Sequence, residues 1–266
     1  MPDEDFFSLS NLTIRFGGLV AVDKVTLNVT PGSIFSIIGP NGAGKTTIFN
    51  CISGIYKPDS GTIFFRGEDI TGLKPYSIAQ KGIARTFQNI ELFSRMTTME
   101  NLMLGRHIHM KTGVWSGSTF FRRSSKAAQE EIRHRERVEQ IIDLLDLQSV
   151  RNQFVGGLPY GTQKLVELGR ALALEPELLL LDEPSAGMNS EEKQDLIFWI
   201  KDIQDELEVT ILLIEHDMRM VMDISDRILV INFGKPIVEG VPEEVQKHPE
   251  VLKAYLGEDE IIERAA

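Results

Sequence analysis

Cysteine and long apolar runs are scarce in this chain. One cysteine, Cys51, stands among 266 residues, so no disulfide can form within the chain and a reducing compartment is expected. No uninterrupted apolar stretch approaches the roughly 18 residues that cross a bilayer. The acidic start, residues 1–5, lacks the basic region of a secretory signal. These absences predict a cytoplasmic protein that contacts a membrane only through a partner.

Positive charge is also in deficit. The chain has 28 Lys and Arg against 39 Asp and Glu, a net charge of −11. Nucleic-acid binding proteins generally need surplus basic residues on one face to neutralise phosphates. We therefore expect no nucleic acid among the partners. A local basic patch would be compatible with the net charge and is the one route to nucleic-acid binding that stays open. The hydrophobic share of 42% is typical of a soluble globular protein, and 266 residues can bury one sizeable core, or one core with a smaller appended lobe.

One glycine-rich stretch carries a specific motif. Residues 39–46 fit G-x-x-x-x-G-K-[ST], between a strand-like apolar run at 33–38 and a helical pattern from Thr47. Glycines let successive amides turn toward an anion, and the helix N-terminus adds a positive dipole end. The sequence predicts a phosphate-binding loop in which Lys45 meets the β- and γ-phosphates and Thr46 ligates Mg²⁺.

The hydrophobic patterns predict an α/β fold. Alternating segments at 12–16, 25–29 and 62–66 predict a small N-terminal antiparallel β subdomain. Apolar strands at 178–182, 209–214 and 228–233 alternate with helical patterns at 161–174 and 191–207, which predicts a parallel sheet. We expect one domain, with a nucleotide-binding core (1–87 and 156–240), an inserted helical subdomain (88–155) and a tail (241–266).

The inserted subdomain shows one long amphipathic pattern, from Ala127 to Leu147. A single face is predicted to carry its apolar side chains. An irregular loop is expected at 113–125, before that helix. The predicted buried face comprises Ile132, Val138, Ile141, Ile142 and Leu145.

Acidic residues follow two of the buried strands. Asp182 and Glu183 come after four leucines, and Glu215-His216-Asp217 ends the strand at 209–214. Ligands of parallel α/β sheets bind outside the carboxyl ends of the strands. Asp182 is therefore placed to hold Mg²⁺ and Glu183 to polarise an attacking water.

Six segments together resemble the ATP-binding subunits of ABC transporters, in the family's order and over nearly the whole chain. The resemblance implies a phosphate-loop ATPase fold, with ATP and Mg²⁺ as cofactors and ATP hydrolysis as the activity. The segments are the phosphate loop, Thr86-Phe87-Gln88, Leu158-Pro159-Tyr160-Gly161-Thr162-Gln163, Leu181-Asp182-Glu183-Pro184, Ser185-Ala186-Gly187-Met188-Asn189 and Glu215-His216-Asp217.

The resemblance also implies roles for single residues. Phe16 would stack on adenine, the alternative being an ordinary core aromatic. His216 would hydrogen-bond the γ-phosphate, and Gln88 would contact Mg²⁺ and the attacking water and relay contact with the membrane subunit. The implied catalytic residues are Glu183, His216 and Gln88, and the implied metal ligands are Thr46, Gln88 and Asp182. The implied ATP contacts are Phe16, Gly39, Pro40, Asn41, Gly42, Ala43, Gly44, Lys45, Thr46 and Thr47. His107, His109, His134 and His248 match no motif and are expected on the surface.

The signature segment, Leu158–Gln163, departs from the family's Leu-Ser-Gly-Gly-Gln. Pro159 replaces the serine, which removes a hydroxyl and an N–H, and Tyr160 replaces the first glycine. Gly161 keeps its backbone N–H, and the following helix keeps its positive N-terminus. In the family this segment acts on the nucleotide of the facing chain, so the resemblance implies a head-to-tail dimer.

Within the family, the chain resembles the larger ATP-binding subunit of branched-chain amino acid importers, and urea and amide importers have similar subunits. The matching features are Thr86–Asn89, Lys111–Gly113, Leu158–Gly161, Glu215–Met218 and Ala254–Glu258. This likeness implies a second, smaller ATPase, two integral membrane permeases and an extracytoplasmic solute-binding protein, with the chain peripheral on the cytoplasmic face of the inner membrane.

Two alternative functions, and one question about the location of apolar side chains, stay open at the level of the sequence. The chain could serve a lipid- or polysaccharide-exporting ABC system, or it could be a non-transport ABC ATPase acting on DNA or ribosomes. The apolar residues after Gln88 could contact a permease or fill the helical subdomain. They are Ile90, Leu92, Phe93 and Met96.

Overall fold

A computed structural model describes residues 6–110 and 126–254 of the chain. Within these residues the chain forms two compact units. The first comprises the chain up to Arg85, Glu177–Ala186 and the chain from Ser190 onward, and the second comprises Thr86–Pro176 and Gly187–Asn189. The predicted insert at 88–155 falls inside the second unit. The predicted loop at 113–125, Lys111–Gly113 and most of Ala254–Glu258 lie outside the described residues.

All the strands of the described ranges belong to the first unit and form two sheets. In chain order they are β1 (Phe7–Phe16), β2 (Leu19–Val29), β3 (Ile34–Ile38), β4 (Ser60–Phe65), β5 (Glu68–Asp69), β6 (Ile83–Arg85), β7 (Leu178–Asp182), β8 (Thr210–Ile214), β9 (Arg227–Asn232) and β10 (Lys235–Gly240). One sheet is antiparallel, in the order β2-β1-β4-β5. It is the predicted N-terminal β subdomain.

The second sheet has the order β10-β9-β3-β8-β7-β6 and positions the candidate site. Five of its strands, from β9 to β6, run parallel, and β10 pairs antiparallel with β9. Strands β3, β7 and β8 are buried along their whole length, as their continuous apolar runs require. Side chains alternate between the two faces, so Ile37 packs toward the antiparallel sheet and Ile38 toward the opposite cluster.

The helices divide between the units. The first unit contains α1 (Lys45–Ile52), α2 (Pro75–Gln80), α6 (Ser190–Leu207), α7 (Met218–Ile224) and α8 (Pro242–Val245), and the second contains α3 (Thr98–Gly105), α4 (Lys126–Leu144) and α5 (Tyr160–Leu172). The N-termini of two of these helices are stabilised by side-chain caps. Thr97 and Glu100 form a reciprocal capping box at α3. The Asp217 carboxylate accepts from the amides of Arg219 and Met220 at α7.

The predicted α/β class, with a parallel sheet and an antiparallel sheet, is confirmed. Two predictions about residues of α4 were wrong. Ile132 is 47% exposed, because it lies nine residues before Ile141 and therefore two and a half turns away, on the opposite side of the helix. His134 is buried rather than on the surface, because it lies one turn before the buried Val138. No helix of the described ranges is long and apolar enough to span a membrane.

Candidate functional site

Four neighbouring parallel strands of the first unit end at one edge of the sheet. Strand β3 leads into Gly39, β7 ends at Asp182, β8 leads into Glu215, and β6 ends at Arg85. The carboxyl ends of parallel strands lie side by side, so the polar residues that follow them meet there. This edge brings together the predicted phosphate loop, the acids Asp182 and Glu183, and His216.

The loop between β3 and α1 has the geometry of an anion cradle. A Cβ on Gly39 would lie 2.1 Å from the carbonyl oxygen of Ile231. Gly44 has φ +106°, and a Cβ there would lie 2.5 Å from the carbonyl oxygen of Ala21. Only glycine fits these two positions. Helix α1 begins directly after Gly44, which provides no side-chain cap, so the first-turn amides of Lys45, Thr46 and Thr47 face outward for a ligand.

Lys45 lies inside this loop and is only 5% exposed. Its Nζ donates to the carbonyl oxygens of Gly39, at 2.7 Å, and Pro40, at 3.1 Å. Burial lowers the pKa of Lys45, and the nearby carboxylates of Glu183 and Asp182 oppose that shift. The ammonium is thus held among carbonyl dipoles and acids, where a phosphate would give it a stronger partner.

Asp182 is 1% exposed and has two differently placed oxygens. Oδ2 accepts from Nη2 of Arg85 at 2.7 Å. Oδ1 is buried and has no hydrogen-bond partner among the described residues. An unpartnered buried carboxylate oxygen requires a ligand or water, and a hard cation satisfies it well.

Glu183 and His216 lie next to each other. Glu183 Oε2 is 3.9 Å from His216 Nδ1. The backbone of Glu183 is left-handed, with φ +48°, and its amide donates to the carbonyl oxygen of Ile214 at 2.9 Å. Left-handed backbone is costly for a residue other than glycine and is typical of functional turns. The turn keeps the Glu183 carboxylate at the sheet edge with 13% of its side chain exposed, while His216 is 53% exposed.

Glu215 lies beside His216 and is fully buried. Its Oε1 accepts from the Ser185 amide at 2.8 Å, and its Oε2 accepts from the His216 amide at 3.0 Å. The sequence placed Glu215 in a motif but assigned it no role.

Phe16 lies at the end of β1 and is 45% exposed. Its ring meets Tyr56 edge to face, with centroids 5.3 Å apart. An exposed ring fixed by a second aromatic ring is suited to stacking against a flat ligand. The alternative of an ordinary core aromatic does not fit this exposure.

The second unit contains the signature segment. Pro159 stands at the N-cap of α5 and makes no side-chain cap, as its substitution for serine predicts. Leu158 is buried, and Gln163 donates from Nε2 to its carbonyl oxygen at 2.8 Å. Gly161 is buried in the first turn, with Thr162 and Gln163 half-buried beside it. Tyr160 is 45% exposed at the tip of the helix.

The same helix, α5, holds the segment that contains Gln88. Lys164 Nζ donates to the carbonyl oxygen of Gln88 at 2.7 Å. Glu167 Oε1 accepts from the Glu91 amide at 3.3 Å, and Arg170 bonds the Glu91 carbonyl oxygen. These three α5 residues recur every three positions and so share one face. Burial raises the pKa of Glu167.

The structure thus places the predicted site residues in two groups. The first unit brings together the phosphate loop, Asp182, Glu183 and His216. In the second unit, the segment that contains Gln88 is bonded to α5, the helix that begins in the signature segment. Three further residues had no role at the level of the sequence: Arg85, Glu215 and Lys164. Arg85 could have been found as the lone charged residue in a three-residue strand, had that strand been predicted.

Comparison with known proteins identifies the family. Residues 22–186 match the family model described as ABC transporter. That match covers more than half of the chain and includes the phosphate loop, the signature segment, Asp182 and Glu183. The chain belongs to the ABC transporter family. It is an ATPase of that family, and the predicted family, fold and activity are confirmed.

Individual relatives of this ABC ATPase are similar over almost its whole length. The high-affinity branched-chain amino acid transport ATP-binding protein BraF of Pseudomonas aeruginosa is 47% identical, over 94% of this chain and 97% of that protein. The corresponding LivG protein of Escherichia coli is 44% identical, over 96% of this chain and 99% of that protein. Residues 235–261 match a second model, described as branched-chain amino acid ATP-binding cassette transporter.

A solved structure supports the fold of this ABC ATPase. A nucleotide-free ATP-binding cassette from an ABC transporter superimposes with a TM-score of 0.82 and 32% identity, covering 96% of this chain and all of that one. A cassette solved in its ADP conformation has the same TM-score and identity.

Proposed function

We propose that this ABC ATPase is the larger ATP-binding subunit of an importer for branched-chain amino acids. The observation that carries the proposal is the likeness to BraF and LivG, at 47% and 44% identity over at least 94% of the chain. The second family model, over 235–261, supports the same substrate class. Importers of urea or amides are the next class to test. Export of lipid or polysaccharide, and ATPase activity without transport, are not favoured.

The phosphate loop binds ATP in this proposal. The first-turn amides of α1 and the Lys45 ammonium replace the hydration of the phosphates with fixed donors. The Lys45 ammonium exchanges its hydrogen bonds to two carbonyl oxygens for stronger, charge-assisted hydrogen bonds to phosphate oxygens. Phe16 stacks on adenine and orients the other end of the nucleotide.

Hydrolysis then uses the acid and the histidine at the same sheet edge. A water oxygen attacks the γ-phosphorus while the Glu183 carboxylate accepts a proton from that water. The bond from the γ-phosphorus to the bridging oxygen breaks, and the electron pair leaves with ADP. His216 donates a hydrogen bond to a γ-phosphate oxygen. Its Nδ1 faces Glu183 Oε2 at 3.9 Å and Glu215 Oε2 at 3.8 Å, which leaves Nε2 for the phosphate.

Magnesium fits the residues present. Mg²⁺ usually takes one or two carboxylates together with substrate phosphates and waters. Asp182 has a buried Oδ1 without a partner among the described residues, and the exposed Thr46 lies at the start of α1. These two residues of the first unit would hold the ion, and it would neutralise charge on the phosphates. For Gln88 a role as metal ligand rests on the family resemblance alone.

The signature segment acts in a dimer under this proposal. Its remaining features, the Gly161 amide and the positive end of α5, favour an anion at the helix tip. The partner is a second, smaller ATPase placed head to tail, so that ATP lies between the phosphate loop of one chain and the signature helix of the other.

The membrane partners contact the Gln88 side of the second unit. Phe93 is 57% exposed there, while Ile90, Leu92 and Met96 are half-buried. The buried Asn101 holds this segment, accepting from the Phe93 amide and donating to its carbonyl oxygen. An exposed aromatic side chain on an anchored loop is a suitable contact for an integral membrane permease. The assembly comprises two permeases and an extracytoplasmic binding protein, with this chain on the cytoplasmic face of the inner membrane.

Reconstitution tests the proposed transport function. The chain is assembled with the two permeases and the second ATPase of a branched-chain amino acid importer from the same organism, and uptake of labelled leucine into vesicles is measured with the binding protein present. We expect uptake that requires ATP and is absent from the matched Glu183→Gln complex. Uptake of urea or amides, but not of leucine, isoleucine or valine, would contradict the proposed substrate.

A further inference from the structure

We infer that Glu215 is a positioning residue that ties the turn after Glu183 to His216, so that base and histidine keep one mutual geometry. The inference rests on the proposed roles of Glu183 and His216 and adds a residue that acts through both. It is carried by the hydrogen bonds of one buried carboxylate.

Each oxygen of Glu215 is bonded to a different segment. Oε1 accepts from the Ser185 amide at 2.8 Å, two residues after Glu183 in the chain. Oε2 accepts from the His216 amide at 3.0 Å and more weakly from the Asp217 amide at 3.5 Å. One side chain therefore spans the loops that follow two adjacent strands, β7 and β8.

Burial makes this bridge specific. The Glu215 side chain is fully buried, and a buried carboxylate is stable only when donors compensate its charge. The Ser185 amide is buried as well, so loss of the acceptor would leave a donor unsatisfied on that side. The bridge therefore resists being opened by water.

The bridge also fixes the atoms around the imidazole. The Ala186 amide donates to the Glu183 carbonyl oxygen at 3.1 Å, so anchoring Ser185 fixes the tight turn in which Glu183 holds its left-handed backbone. On the other side, Glu215 Oε2 lies 3.8 Å from His216 Nδ1, close to the 3.9 Å of Glu183 Oε2. Two carboxylates thus flank the same ring nitrogen. This arrangement directs the opposite nitrogen outward.

A Glu215→Gln variant of the full chain, assembled in its transporter complex, tests the inference. Glutamine keeps the volume and one acceptor oxygen but turns an NH₂ group toward an amide donor. We expect faster hydrogen exchange at the Ser185 and His216 amides of the purified chain. We also expect kcat for ATP hydrolysis to fall at least about tenfold, as misplaced catalytic groups do, with little change in KM. Glu206→Gln, the same change at an exposed position on α6, is the matched control.

A double-variant cycle with His216→Ala separates positioning from general damage. If Glu215 acts through His216, the double variant loses little more turnover than His216→Ala alone. Unchanged exchange at both amides would overturn the inference, and so would fully multiplicative losses both in this cycle and in the matching cycle with Glu183→Gln. If His216→Ala alone keeps full turnover, the role of His216 in the proposed function is wrong. The amide exchange of Glu215→Gln still decides whether the bridge exists.

Discussion

Arg85 and Asp182 form a buried ion pair at the edge of the parallel sheet. Nη2 of Arg85 is 2.7 Å from Oδ2 of Asp182, with the two side chains 6% and 2% exposed. Nη1 of the same guanidinium donates to Asn50 and Ser53, both at 2.8 Å. Arg85 therefore joins the end of β6 and helix α1 to the proposed metal ligand, and β6 continues directly into the segment that contains Gln88.

Removing this arginine should destabilise the fold strongly. Arg85→Met leaves the buried Asp182 carboxylate uncompensated, which costs about 3–5 kcal/mol in comparable pairs. The measurement is the free energy of unfolding from urea denaturation. Arg66→Met is the control, because its pair with Glu177 is 58% and 48% exposed, and such surface pairs are worth about 0–1 kcal/mol. Equal losses in the two variants would contradict a structural role for the buried pair.

The sequence predicted those parts of the fold in which local pattern and burial agree. The strands at 178–182 and 209–214 are continuous apolar runs, and the structure buries every residue of β7 and β8. Strand β6 was missed because three residues are too few to show a period, and its pairing with β7 supplies the stability. Helix α7 was missed as well, although Asp217 in a predicted motif is its N-cap.

The candidate site was predictable where a motif fixes the backbone. The spacing of Gly39, Gly44 and Lys45 prescribes a loop whose glycines have no room for a side chain, and the structure has that loop. The supporting contacts were not predictable. Arg85 meets Asp182 across 97 positions of sequence, and Glu215 meets Ser185 across 30. No local period encodes contacts between separate strands.

Substitution of the loop lysine should weaken ATP binding. Lys45→Ala removes a cation whose hydrogen bonds to phosphate are charge-assisted, each worth about 1.5–3 kcal/mol, so we expect affinity to fall about 10- to 100-fold. Isothermal titration calorimetry with ATP measures it. Lys201→Ala, at an exposed position of α6, is the control. An unchanged affinity of Lys45→Ala would refute the assignment of the phosphate loop.

Loss of the proposed base should separate binding from turnover. Glu183→Gln keeps the size of the side chain but cannot accept the proton of the attacking water. We expect ATP binding to persist, phosphate release to fall by about 10²–10⁴-fold, and an ATP-bound dimer to accumulate during gel filtration. Glu206→Gln controls for the chemical change. Turnover within a few-fold of the unmodified protein would place the base elsewhere.

The single thiol should be unreactive in the folded protein. Burial, helped by the charge of Asp59, raises the pKa of Cys51 to about 12. The thiolate is the reactive form, so it is almost absent at pH 8. We expect iodoacetamide to leave the native chain unmodified and to add one group after unfolding in guanidinium chloride, as read by intact mass. Rapid modification of the native chain would contradict the packing of α1 against the core.

Replacement of Gln88 should uncouple ATP binding from transport. The backbone of this exposed residue is anchored through its carbonyl oxygen to Lys164 at 2.7 Å, so Gln88→Ala removes the side chain and leaves the anchor. We expect the isolated chain to bind ATP as before, while vesicles containing the assembled variant lose leucine uptake. The neighbouring Asn89→Ala, also exposed, is the matched control. If both variants transport equally, the Gln88 side chain is not the relay, and the α5 residues that hold its backbone become the next positions to test.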